Sequence, residues 1–284
     1  RDLRMSRGLG DVYKRQMVGS FLQQCYNIAD TLIVGQCIGA GALAAVGSAY
    51  TLMVFLISVL LGLAMGSGTV FSLHYGAGNH VALRRSIFSS FVLIGIVTLI
   101  LNVAVFIWLD PILRLLQVPQ DIYGMMRSYS WIIFCGIVFT FIYNFYASLL
   151  RAVGDSVTPL WFLAVSVVLN IALDLFFILQ LDWGIQGAAT ATVLAQGVAA
   201  LGIIIYTYRR RPELRWHHED MCFDRTCLKE IASFSTLTCV QQSVMNLGIL
   251  MIQGLVNSFG TAVMAAFAAA VKILSLIHIS EPTR

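Results

Sequence analysis

Seven apolar runs long enough to cross a bilayer, and the start of an eighth, constrain this chain more than any other feature. They fall at about 17–38, 43–72, 87–109, 128–150, 158–181, 184–208 and 231–257, and the eighth begins near Ala262. Crossing ~30 Å of hydrocarbon at ~1.5 Å per residue takes about 20 residues, so each run suffices as a helix. Lipid offers no partner to an exposed N–H or C=O, so spanning segments are helices or closed barrels, and runs of this length are helices. Composition agrees: 58% of residues are hydrophobic and 11% charged, with a mean hydropathy of +0.82. The expected fold class is an all-α polytopic membrane protein, and neither soluble chemistry nor nucleic-acid binding fits such a chain.

The two flanks read differently. Residues 6–16 (SRGLGDVYKRQ) and 274–284 (LSLIHISEPTR) can be encoded by one DNA element read from opposite strands, with Gln16 as CAG facing Leu274 as CTG, and so on to Ser6 facing Arg284. Such an element resembles a sequencing-library adapter, so residues 1–16 and 274–284 are expected to be adapter-derived and non-native. The natural part would then run from about Met17 to Ile273 as a truncated piece of a longer protein. The excess of basic residues lies mostly in those flanks and says nothing about an acidic partner.

Basic residues elsewhere concentrate in alternate loops: Arg84 and Arg85, then Arg151, then Arg209, Arg210, Arg211, Arg215, Arg225 and Lys229. The positive-inside rule makes loops 73–86, 151–157 and 209–230 cytoplasmic. The first span then runs from inside to outside, and Trp108, Trp131 and Trp183 sit near the outer interface as belt residues. Residues 17–208 are expected to form a six-helix amino-terminal lobe, 209–230 a cytoplasmic inter-lobe linker, and 231–273 the start of a second lobe. Laying the first span on the seventh aligns Asn27 with Asn246, Gly35 with Gly254 and Gly41 with Gly260, the mark of a parallel repeat. Spans seven and eight are expected to leave the first bundle across the linker.

Two carboxylates fall inside spans: Asp30 in YNIADTLIVG and Asp174 in LNIALDLFFI. A charge at membrane depth costs about 2.5–3.5 kcal/mol even on a lenient scale, so each needs a proton, a cation or a polar neighbour. Both lie roughly 11 Å below the outer end of their spans. Asn170 is one turn before Asp174 and on its face, Asn27 is three residues before Asp30, and Thr192 reaches a similar depth on the sixth span. Oxygen donors of this kind suit a hard cation, and paired buried carboxylates equally suit proton uptake. Packing alone is the plainer alternative, and the residues do not choose between cargoes.

YNIADTLIVG, FSLHYGAGNHVALRR, LLRAVGDSVTPL, LNIALDLFFI and WGIQGAATATV, in that order and spacing, resemble the multidrug and toxic compound extrusion (MATE) family, DinF-like branch. The resemblance covers essentially all of 17–273. It implies a twelve-helix antiporter of two six-helix lobes that exports amphipathic or cationic drugs and metabolites across the bacterial cytoplasmic membrane in exchange for H+ or Na+. By the same matching Asp30, Asn144, Asn170, Asp174 and Thr192 form the cation or proton site, and Gln23, Tyr26 and Asn27 face the substrate cavity. Asn144 sits nearer the cytoplasmic end than the others. The fragment is expected to lack the start of the first helix, where the family has a proline bend, and most of the second lobe. The resemblance implies no enzyme, no catalytic residue and no cofactor beyond the coupling ion. Its partners would be small-molecule substrates and the lipid bilayer, with a monomer as the full-length state.

Other features take plainer readings. Asp155, Ser156 and Thr158 before Pro159 read as a helix start, and RAVGD as a tight turn. Gly62, Ala64, Gly66 and Gly68 give small-residue spacing for close helix contact. His217, His218, Glu219, Asp220, Cys222 and Cys227 crowd one linker without zinc-site spacing. An intramembrane aspartyl protease would require a GxGD stretch, which LNIALD lacks. A lipid-linked saccharide flippase of the same superfamily would be expected to line its cavity with basic residues, whereas spans one to six carry none.

Overall fold

Helix satisfies every backbone group within one segment, and the computed structural model of this chain is helical apart from turns across its described residues. Those are residues 19, 21–22, 28–216 and 225–280, with backbone alone for 225–227 and 272–280. No strand occurs among them. In chain order the helices are α1 Ile28–Cys37, α2 Ala40–Gly76, α3 His80–Leu115, α4 Gln120–Cys135, α5 Ile137–Ala152, α6 Val157–Leu175, α7 Gly184–Arg210, α8 Arg225–Asn257 and α9 Thr261–Ser280. Five of these are long and apolar enough to cross a membrane, or six if α4 and α5 count as one bent span. The all-α polytopic fold class therefore holds.

Helices outrun the apolar runs that announced them, because polar caps extend the hydrogen-bond ladder past the hydrocarbon. Asn79 accepts from Ala82 N at 3.1 Å to open α3. Asp155 accepts from Thr158 N at 3.1 Å and Thr158 Oγ1 at 2.8 Å, where α6 was expected to start. Gly154, at φ +90°, supplies the left-handed residue that ends α5, and Asp155 N bonds back to Leu150 O at 2.9 Å.

Two spans differ from expectation. The fourth is not one helix but α4 and α5, meeting at a 46° bend on Gly136. A Cβ there would lie 2.5 Å from Val193 Cγ2 on α7, so the glycine admits α7 at the bend. The fifth span changes from α to π geometry at Phe176–Gln180, directly after the turn that carries Asp174.

α2 lies at the centre and touches α3, α4, α5, α8 and α9, while α7 packs on α4, α5 and α6. Alanines make that second contact possible: Ala188, Ala189, Ala191, Ala195, Ala199 and Ala200 are all buried on α7. The expectation that spans seven and eight leave the bundle is not met, since α8 runs along α2 as its most extensive partner. The small-residue stripe explains the fit. A Cβ on Gly62 would meet Cys239 Cα at 2.5 Å, and one on Gly66 would meet Ser235 Cα at 2.5 Å, so backbone meets backbone. Ser235 Oγ donates to Leu63 O at 3.3 Å across the same seam.

The linker is only partly solvated. Leu214 is buried, and Trp216 packs on Phe88 and Phe91 with ring centroids 5.8 and 5.2 Å away. The histidine and cysteine cluster lies outside the residues whose side chains are described, as does the flank 1–16. The backbone of α9 continues to Ser280, into the stretch expected to be foreign.

Candidate functional site

Residues at four-residue intervals on three helices build one polar region. On α6, Ser166, Asn170 and Asp174 succeed one another at that spacing and so share a face. Asn170 and Asp174 are fully buried, and Thr192 on the facing α7 is nearly so. Oriented by its neighbours, the Asn170 amide donates to Asp174 Oδ2 at 3.0 Å, and its oxygen faces Thr192 N at 3.2 Å and Thr192 Oγ1 at 3.3 Å. Thr192 Oγ1 also donates back to Ala188 O at 3.1 Å. Asp174 Oδ1 accepts no hydrogen bond among the described residues.

Asp30, on α1, is 9% exposed. It lies within electrostatic range of Asp174, from α1 toward α6. An arrangement of two carboxylates, an amide and a hydroxyl, closed off from solvent, can hold a proton or a small cation. Two carboxylates in one buried site repel when both are charged, and an arriving cation or proton would relieve that repulsion.

Beside the cluster lies a cavity of about 320 Å³ between α2, α5, α6 and α7, large enough for a small organic molecule. Asn170 and Thr192 stand on its wall, together with Asn144, Thr140, Tyr143, Ser166, Gln196 and Tyr50. The rest of the lining is apolar, including Met53, Val54, Ile57, Leu61, Leu163 and Val167. Asn144 is thus joined to the site through the cavity, with its amide donating to Thr140 O at 2.8 Å. Gln23, Tyr26 and Asn27 lie outside the described residues. No group of His, Cys, Asp and Glu able to hold a metal occurs among the described residues.

Sequence reasoning missed Tyr50, Thr140, Tyr143, Ser166 and Gln196. The signal was available for three of them. Gln196 follows Thr192 by four residues, Thr140 precedes Asn144 by four, and Ser166 precedes Asn170 by four, so each continues the face of a residue already singled out. Thr140 Oγ1 donates to Gln196 Oε1, bridging α5 and α7 across the cavity wall. Tyr50 and Tyr143 carried no such mark.

The chain is similar to known proteins over most of its length. The MatE family profile matches residues 16–176. The probable multidrug resistance protein YpnP of Bacillus subtilis is 32% identical over 92% of this chain and 58% of its own length. The multidrug export protein MepA of Staphylococcus saprophyticus is 30% identical over 68% of this chain and 43% of its own. Among solved structures, the MATE multidrug transporter DinF-BH superposes with a TM-score of 0.87 at 25% identity, over 95% of this chain and 61% of that one. An inward-facing MATE transporter of the MOP superfamily superposes with a TM-score of 0.79 at 25% identity, over 91% of this chain and 61% of that one. The chain thus spans about half the length of the curated relatives it matches, and somewhat more of the solved structures. With its profile match, its relatives and its helical fold in agreement, the chain belongs to the MatE (multidrug and toxic compound extrusion) family.

Proposed function

We propose that the full-length protein is a cation-coupled antiporter that exports amphipathic or cationic compounds across the bacterial cytoplasmic membrane. The coupling ion, H+ or Na+, binds at Asp30, Asp174, Asn170 and Thr192, while Asn144 contributes from the adjoining cavity and Gln23, Tyr26 and Asn27 face the substrate from the first span. Loops 73–86, 151–157 and 209–230 are cytoplasmic in this reading, so the site lies in the outer half of the membrane. The full-length protein works as a monomer.

The observation that carries the reading is the fully buried Asp174 carboxylate, tied by Asn170 on one oxygen and bare on the other. A carboxylate used for packing alone would be expected to have both oxygens satisfied, since an unpartnered buried acceptor is costly. Ion binding supplies the missing partner. The ion can drive transport only if it binds the two conformations of the lobe with different affinity, and a site shared between α1 and α6 changes its geometry whenever those helices shift. The cavity's mostly apolar wall, broken by amides and hydroxyls, suits an amphipathic cargo.

The test is efflux of a fluorescent organic cation from vesicles containing the full-length protein, under an imposed proton or sodium gradient. Efflux should follow one of the two gradients and stop when that gradient is collapsed. Efflux indifferent to both would exclude cation coupling.

A further inference from the structure

At the end of the molecule opposite the basic loops, α8 is fastened to α2 and α3 through a hydrogen-bond network centred on one asparagine. Asn257 is 1% exposed, and its neighbours Ser48 and Gln253 are buried with it. Its amide nitrogen donates to Leu116 O at 2.8 Å and to Ser48 Oγ at 3.0 Å. Its oxygen accepts from Gln253 Nε2 at 2.9 Å and from Ser48 Oγ at 3.3 Å. Both hydrogens and both lone pairs of the amide are therefore used. Thr51 Oγ1 extends the network by donating to Gln253 Oε1 at 3.2 Å.

The partners come from three places. Ser48 and Thr51 belong to α2, Gln253 and Asn257 to α8, and Leu116 closes the carboxyl end of α3. The residue after it, Gln117, has φ +53°, so the α3 helix stops there and leaves carbonyls without intrahelical donors. Asn257 satisfies one of them from a different part of the fold. Thr261 Oγ1 adds a further tie, donating to Asp121 Oδ2 at 2.5 Å at the start of α4.

We propose that Asn257 is the fastening residue of an outer gate: while its amide is fully bonded, the α2–α8 seam is shut on the outer side, and export requires this knot to open. The inference rests on the alternating transport proposed above. Chemistry favours the role. Uncharged amides and hydroxyls can exchange their partners for water when the seam parts, so the knot releases without stranding a charge in the membrane. A fully satisfied network loses much of its strength when one member goes, which gives two discrete states rather than a graded one. The inner half of the same seam is held mainly by backbone contact at Gly62 and Gly66 and carries no comparable knot of buried amides among the described residues.

The experiment uses full-length protein in vesicles, free of native cysteines, with Asn246→Cys as a reporter. Asn246 is buried on α8, about three turns below Asn257 and outside the knot. Labelling from the outside by a membrane-impermeant maleimide should rise several-fold in Asn257→Leu. It should rise less in Ser48→Ala, a milder change that guards against a misfolded first variant. Combining the two should add less than their separate effects, as members of one network do. Unchanged labelling in both variants, with protein level and protease resistance intact, would overturn the gate. Loss of gradient coupling in Asp30→Asn and Asp174→Asn is read separately, so the gate and the ion site can fail independently.

Discussion

Asn170 holds the proposed ion site together, because it is hydrogen-bonded to Asp174 and also faces Thr192. Asn170→Ala removes the donor to Asp174 Oδ2 while leaving both carboxylates in place. A hydrogen bond to a charged group is worth about 1.5–3 kcal/mol, so the concentration of coupling ion giving half-maximal efflux should rise about tenfold or more, with maximal efflux less affected. A lowered maximal rate at unchanged ion dependence would place Asn170 in the cargo path instead. Asp174 and Asn170 were legible in the sequence because a carboxylate inside an apolar run is conspicuous and the helical repeat identifies its neighbour. Thr140 and Gln196 were not singled out, since an uncharged polar residue in a long helix is cheap and common. Only the fold shows that these two meet across a cavity.

At the scale of elements, the helices could be counted from the apolar runs, but their bends and partners could not. Gly136 looked like any glycine in a span until Val193 was found against it. Similarly, the stripe Gly62, Ala64, Gly66 and Gly68 announced a close contact without naming the partner, and periodicity alone cannot say which helix fills a groove. The structure supplies α8 for Gly62 and Gly66, and Ser148 of α5 for Gly68, whose Cβ would stand 2.5 Å from Ser148 Oγ. Gly66→Leu should therefore wedge α2 from α8 at a cost of about 1–3 kcal/mol or more, seen as a lower unfolding temperature of the detergent-solubilised protein. Gly124→Leu is the control, because a Cβ on Gly124 meets nothing within 4 Å and should leave that temperature nearly unchanged. Equal effects from both would mean that α2 and α8 are not in contact in the assembled protein.

For the whole molecule, orientation and coupling are the claims that matter. Single cysteines placed beside Arg84 and Arg151 should react only from the cytoplasmic side, and reaction of either with an external impermeant reagent would reverse the topology. The proposed orientation rests on charge distribution, since basic loops alternate along the chain. The placement of α8 and α9 was not readable, because a polar linker between two lobes says nothing about how the next helix returns. Trp216 and Leu214, packed on α3 and its neighbours, show that part of this linker is bound rather than free.

Exchange of a coupling ion between Asp30 and Asp174 stands or falls on gradient-driven efflux by the Asp30→Asn/Asp174→Asn double variant. Each substitution removes a charge from the membrane, so insertion should be preserved, and protein level measured in parallel checks this. The full-length double variant should be made and inserted normally but show no efflux of a fluorescent cation under either a proton or a sodium gradient. Gradient-dependent efflux at the wild-type rate would contradict it and leave the two carboxylates with a packing role alone.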